Sequence, residues 1–103
     1  MINKIFAVYD DKAKAFINPF FLPEIGIAVR EFGNCANNPD HAFCRNPGDY
    51  TLFHLGSFDT ESAKIEMLDT PENLGLALMH KQQEEMPITQ MANELELVEG
   101  GKE

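Results

Sequence analysis

The apolar and polar positions of this chain fall into short blocks of different period. Ile2 to Tyr9 gathers the strand formers Ile5, Phe6, Val8 and Tyr9 ahead of polar Asp10-Asp11-Lys12, which predicts a strand closed by a turn. Ala13 to Leu22 is apolar again, but Pro19 removes a ladder donor, so the segment reads as an edge strand or as irregular chain. Pro23 suits the first turn of a helix and Glu24 its positive end; Ile25, Ala28, Val29 and Phe32 follow at helical spacing. Gly33-Asn34 and Asn37-Asn38-Pro39 are equally good stops for that helix. Residues 37–49, with two prolines, a glycine and three asparagines, read as a loop.

The pattern then returns to strands. Tyr50 to Phe58, the turn Asp59-Thr60-Glu61-Ser62 and the alternating run from Ala63 to Leu68 predict a hairpin. Its first arm is apolar at both parities (Tyr50, Leu52, Phe53, Leu55), as expected of a central strand covered on both faces. Thr70-Pro71 before Glu72-Asn73 is a helix-start signature, with Leu74 and Leu78 completing a short amphipathic helix that Gly75 weakens. From Gln82 onward the chain is polar, and Ile88, Met91, Leu95 and Val98 fall on one helical stripe.

Together these elements predict an α+β domain over residues 1–81: a three-stranded antiparallel sheet (2–9, 50–58, 63–69) packed on one main helix, with a short second helix or an extended segment after Pro71. Residues 82–103 form an acidic C-terminal tail. The tail stripe Ile88, Met91, Leu95, Val98 suits a helix that binds a partner's groove, a terminal helix closing the core, or a disordered acidic end. An open edge on a three-stranded sheet favours a homodimer made by strand pairing.

Length and composition narrow this further. With 103 residues, 44% apolar and 10% aromatic, the chain holds one hydrophobic core. Met1-Ile2-Asn3-Lys4 leads into too short an apolar stretch for a secretory signal, and two cysteines are too few for a disulfide scaffold, so an intracellular protein with free thiols is expected. No apolar run approaches the roughly 20 residues that span a bilayer. Eight Lys and Arg stand against 17 Asp and Glu, a formal charge of −9. Residues 1–81 carry seven basic and eleven acidic groups, net −4, and residues 82–103 one basic and six acidic, net −5. Such a field repels polyanions at long range while leaving room for a local basic patch.

The chemistry-bearing residues are sparse. Cys35, His41, Cys44 and His54 lack the paired spacing of structural zinc sites, and no catalytic signature surrounds either thiol. Asp10-Asp11 and Glu84-Glu85 read as solvated acids, and Gly100-Gly101 lacks the strand and helix context of a phosphate loop. A non-enzymatic protein without metal or cofactor is therefore expected. For nucleic acid, Lys12 and Lys14 lie close in sequence to Tyr9, Phe16, Phe20 and Phe21, a combination of phosphate contacts and base stacking that Arg30 and Arg45 can extend. The alternative is that these rings belong to the core and the lysines merely solubilise a turn.

Several blocks share their order and spacing with a known family. Lys14-Ala15-Phe16 with Pro19-Phe20-Phe21, then Ala28-Val29-Arg30-Glu31-Phe32, the stretch from Pro47 to Asp59 and Leu68-Asp69-Thr70-Pro71-Glu72-Asn73-Leu74-Gly75 resemble the small nonstructural protein, fifth in the usual gene naming, of gokushovirus-type microviruses. DYTLF-x-LG-x-FD, Asp49 to Asp59, is the specific part, and the resemblance covers residues 3–80. It implies a non-enzymatic phage protein in the host bacterial cytoplasm, acting in single-stranded DNA genome replication or in packaging. Its partner would be single-stranded DNA or a phage or host replication protein. The acidic balance keeps a second class open, an adaptor between proteins or a DNA mimic that inhibits a host factor without touching DNA.

Overall fold

The computed structural model describes residues 1–81. Five strands, β1 (Ile2–Asp10), β2 (Ala15–Phe16), β3 (Phe20–Leu22), β4 (Tyr50–Asp59) and β5 (Ile65–Leu76), build one sheet with three helices, α1 (Ile25–Ala36), α2 (Ala42–Arg45) and α3 (Ala77–His80). Every strand pairing is antiparallel. β2 and β3 share one side of β1, β4 lies on its other side, and β5 pairs with β4. The tail positions Ile88, Met91, Leu95 and Val98 lie outside the described residues.

The three-stranded sheet on one main helix is thus corrected to five strands and three helices. At Pro19 the apolar segment does not lose its pairing; it splits. Tyr9 pairs with Phe16 before the proline, and Ile5 and Phe6 pair with Phe21 and Phe20 after it. A strand one position from the edge can be covered by two short pieces, and proline then occupies the gap between them.

The second correction concerns the short helix expected after Pro71: the chain takes the extended alternative there, and β5 runs on to Leu76. The register jumps from Gly56↔Met67 to His54↔Glu72, so four residues of β5, Pro71 among them, bulge opposite Leu55 alone. A bulge tolerates a residue without an N–H, which removes the conflict that made Thr70-Pro71 read as a helix start. The chain turns into α3 only after Gly75, whose φ is +111.

Helix α1 begins two residues later than the start expected at Pro23. Glu24 is the N-cap with extended backbone, and Ile25 opens the helix. The later of the two stops is used: Asn37 caps the C-terminus and its side-chain amide donates to the carbonyls of Gly33 (2.7 Å) and His80 (3.1 Å), tying α1 to α3. The loop at residues 37–49 contains α2 and a 3₁₀ turn at Pro47–Asp49. His41 caps α2 by accepting the Phe43 N–H at Nδ1, 3.1 Å away.

The core forms where α1 meets the sheet. Ala28, Phe32 and Ala36 make a buried stripe against Phe6, Val8 and Leu52, joined by Ala77 of α3. Burying a phenylalanine such as Phe32 contributes roughly 1.5–3 kcal/mol, so this stripe and not the weak local propensity of a Gly-containing helix holds α1 in place. Phe20, Leu22, Phe43, Tyr50 and Leu74 pack around it. All helices therefore lie on one side of the sheet, and no element among the described residues covers the other.

Candidate nucleic-acid interface

Residues opposite one another in a ladder share a face, so the register identifies what the uncovered face carries. From β1 it takes Asn3, Ile5, Ala7 and Tyr9; from the outer pieces Phe16 and Phe21; from β4 Thr51, Phe53, Gly56 and Phe58; and from β5 Ile65, Met67, Asn73 and Leu76. None of these is charged. Phe16 is 48% exposed, Phe21 45% and Met67 59%, while Ile5 and Ala7 beneath the rings are buried.

The rings form two groups. Tyr9 meets Phe16 edge to face at 5.0 Å, and Phe16 meets Phe53 in the same way at 5.6 Å. Phe21 meets Phe58 at 5.6 Å, again edge to face. T-shaped pairs place one ring's positive edge on the other's negative face, an arrangement that holds exposed rings in fixed orientation. Asn3, opposite Phe58, has a buried side-chain oxygen with no hydrogen-bond partner among the described residues.

A turn with two lysines and two aspartates, formally neutral, borders the first group. Asp10 accepts the backbone N–H groups of Lys12 (3.0 Å) and Ala13 (3.2 Å), which folds the chain back between β1 and β2, and Lys14 takes a left-handed conformation with φ 57. Lys14 Nζ lies 3.3 Å from Asp11 and Lys12 Nζ 4.0 Å from Asp49. Both lysine side chains are more than 70% exposed. Exposed pairs of this kind are worth about 0–1 kcal/mol, so either ammonium can exchange its carboxylate for a phosphate at little cost.

The residues singled out in the sequence divide between the two sides of the molecule. Phe21 lies on the uncovered face, and Lys12 and Lys14 lie in the turn at its end, with the Lys12 ammonium beside Asp49 of the 3₁₀ turn. Phe20 points the other way, stacked on Phe6 at 5.6 Å and packed against the core. Arg30, exposed on α1, and Arg45, whose guanidinium donates to the Asp40 carbonyl at 2.8 Å, belong to the helical layer. Phe53 and Phe58 escaped the sequence reading because they are five residues apart, a separation that puts strand residues on opposite faces. The extra residue of β4 at the register shift opposite Ile5/Phe6 brings both rings to the same face.

On the helical side, His54 is nearly buried, its ring 5.4 Å from that of Phe6. Nδ1 lies 3.0 Å from Glu72 Oε1 and Nε2 3.1 Å from the Gly56 carbonyl oxygen. Cys35 and Cys44 are free thiols. Burial, reinforced by the Glu31 carboxylate, pushes the Cys35 thiol above its usual range. Among the described residues no three His, Cys, Asp or Glu side chains gather into a metal-holding group, and no helix is long and apolar enough to cross a membrane.

The model of the family described as Phage ORF5 protein matches residues 3–80, the whole sheet and all three helices but for the first residue of β1. The chain belongs to the phage ORF5 protein family. No curated protein and no solved structure matches it. The matched segment carries both aromatic groups and the Lys12–Lys14 turn, so the uncovered face lies wholly within the family's extent.

Proposed function

We propose that this phage ORF5 protein is a non-enzymatic accessory protein of single-stranded DNA genome replication or packaging in a gokushovirus-type microvirus, acting in the host cytoplasm by binding single-stranded DNA. The observation that carries this reading is the charge-free sheet face with two groups of partly exposed rings. Bases stack on aromatic faces with roughly 1–3 kcal/mol each, whatever their sequence, and stacking requires a single strand whose bases are free of a partner. It also needs no net positive charge. A protein of formal charge −9 can therefore hold a nucleic acid by its bases while two exposed lysines of one turn, Lys12 and Lys14, meet the phosphates.

The test uses the protein's own fluorescence. The chain has two tyrosines and no tryptophan; Tyr9 lies on the aromatic face, whereas Tyr50 packs on Phe43 at 4.6 Å in the helical layer. Titration with single-stranded DNA quenches Tyr9 emission, duplex DNA of the same sequence does not, and Tyr9→Phe removes the signal. Equal response to both forms, or none to either, overturns the reading.

The acid excess favours a second reading, docking of a basic replication protein. Under it, deletion of residues 84–103 abolishes capture of that protein from infected cells, and the tyrosine signal stays silent to DNA.

A further inference from the structure

The two aromatic groups are separate stations: the first adjoins a turn with two lysines, Lys12 and Lys14, and the second a turn with one, Lys64, which is paired with Glu66 at 3.1 Å. Tyr9 and Phe16 face each other at one end of β1, and Phe21 faces Ile5 four residues away. At about 3.4 Å per residue this places the stations about 14 Å apart. Between them lies Ala7, buried and too small to stack on anything. Lys12 and Lys14 follow Tyr9 after Asp10 and Asp11, whereas the paired positions around Phe21 and Phe58 on this face are Asn3, Ile5, Gly56, Ile65 and Met67, none of them charged.

Resting on the single-stranded DNA reading above, we infer that the face holds two bases at non-adjacent positions of one strand: one on Tyr9, Phe16 and Phe53 with its phosphate at Lys12 or Lys14, and a second on Phe21 and Phe58 through stacking alone. One strand of B-DNA advances about 3.4 Å per nucleotide, so 14 Å corresponds to about four steps, fewer when the strand is extended. A dinucleotide fills one station; a strand of about five nucleotides, or fewer when extended, fills both. The second station adds affinity without adding counterion release, so occupying it leaves the salt slope unchanged.

The experiment is fluorescence anisotropy of the full chain against labelled oligothymidylates from two to eight nucleotides across a salt series. Wild-type affinity rises in a step, about thirtyfold, once the strand spans both stations, taking a stacking contribution near the middle of the usual range. Phe21→Ala removes the step and leaves dinucleotide binding and the salt slope intact; Phe21→Tyr restores it. Phe16→Ala weakens short and long strands alike. The inference is overturned if Phe21→Ala, shown folded by circular dichroism, keeps the wild-type step, or if affinity has no step at all. Absence of binding at every length overturns the DNA reading itself, and the inference with it.

Discussion

Gly56 lies directly beneath the carbonyl oxygen of Glu66 on the neighbouring strand. A methyl group at that position would run into this oxygen and come within 2.9 Å of the Met67 Cα. Both obstacles are backbone, so no side-chain rotation relieves them. Gly56→Ala should therefore force β4 and β5 apart at the point where the register shifts, with a loss of about 2–4 kcal/mol in unfolding free energy measured by urea denaturation. Gly48→Ala, where nothing lies within 4 Å, is the matched control and should be near neutral.

The same junction explains a buried polar side chain. His54 occupies a core-facing position of β4 and has both ring nitrogens within hydrogen-bond reach of acceptors. His54→Ala removes the packing on Phe6 and leaves the Gly56 carbonyl without this partner. We expect a loss of about 2–4 kcal/mol by thermal or urea unfolding. Glu72→Gln keeps the ring in place and exchanges one partially exposed contact for another, so its cost should stay below about 1 kcal/mol.

How far the fold could be read from the sequence depends on where the ladder is regular. The strand from Ile2 and the hairpin turn were legible because strand formers end at polar clusters and because Asp59 can take the Glu61 N–H on its own carboxylate, here at 2.9 Å. Local pattern failed where bulges intervene. At Leu55 an extra residue changes the parity of β4, and at 68–71 a wide bulge accommodates Pro71, so the face of Phe53 and Phe58 and the persistence of β5 both depend on tertiary pairing. The aromatic candidates suffered likewise: Phe20 and Phe21 are adjacent, and only the pairing of β3 with β1 decides which of them faces the core.

Cys35 supplies a pH-dependent prediction. Its thiol is pushed up by burial first and by Glu31 second, so the folded state disfavours the thiolate. With the folded value above the unfolded one, the thiol costs nothing below about pH 8.5, and stability falls as the pH rises beyond that. In a Cys44→Ser background, iodoacetamide should alkylate Cys35 more slowly in the folded protein at pH 8 than in urea, and Cys35→Ser should flatten the alkaline decline of the melting temperature. Equal alkylation rates would contradict the assignment.

Among the described residues, a homodimer made by strand pairing has one stretch available to it. The β2–β3 edge is broken at Pro19, and beyond Met67 the outer strand bulges and carries Pro71, devices that blunt pairing. Exposed Ile65, Met67 and Leu68 mark the remaining length. We propose that a second copy pairs here, weakly because so few residues take part. Light scattering across a concentration series should show a monomer shifting to dimer, and Met67→Lys should suppress the shift; a monomer at every concentration rules the pairing out.

Lys12 and Lys14 finally separate phosphate contact from stacking. Their ammonium groups are exposed and held by Asp49 and Asp11 only through weak surface pairs. If they transfer to phosphates on binding, each releases close to one counterion, and the plot of log affinity against log salt has a slope between about −0.7 and −1.4 for a single strand. The double variant Lys12→Glu with Lys14→Glu should flatten that slope and weaken binding at low salt, while near molar salt its affinity should approach that of the wild type because the rings are untouched. A slope unchanged by the double variant would remove this turn from the interface and leave the aromatic face to act alone.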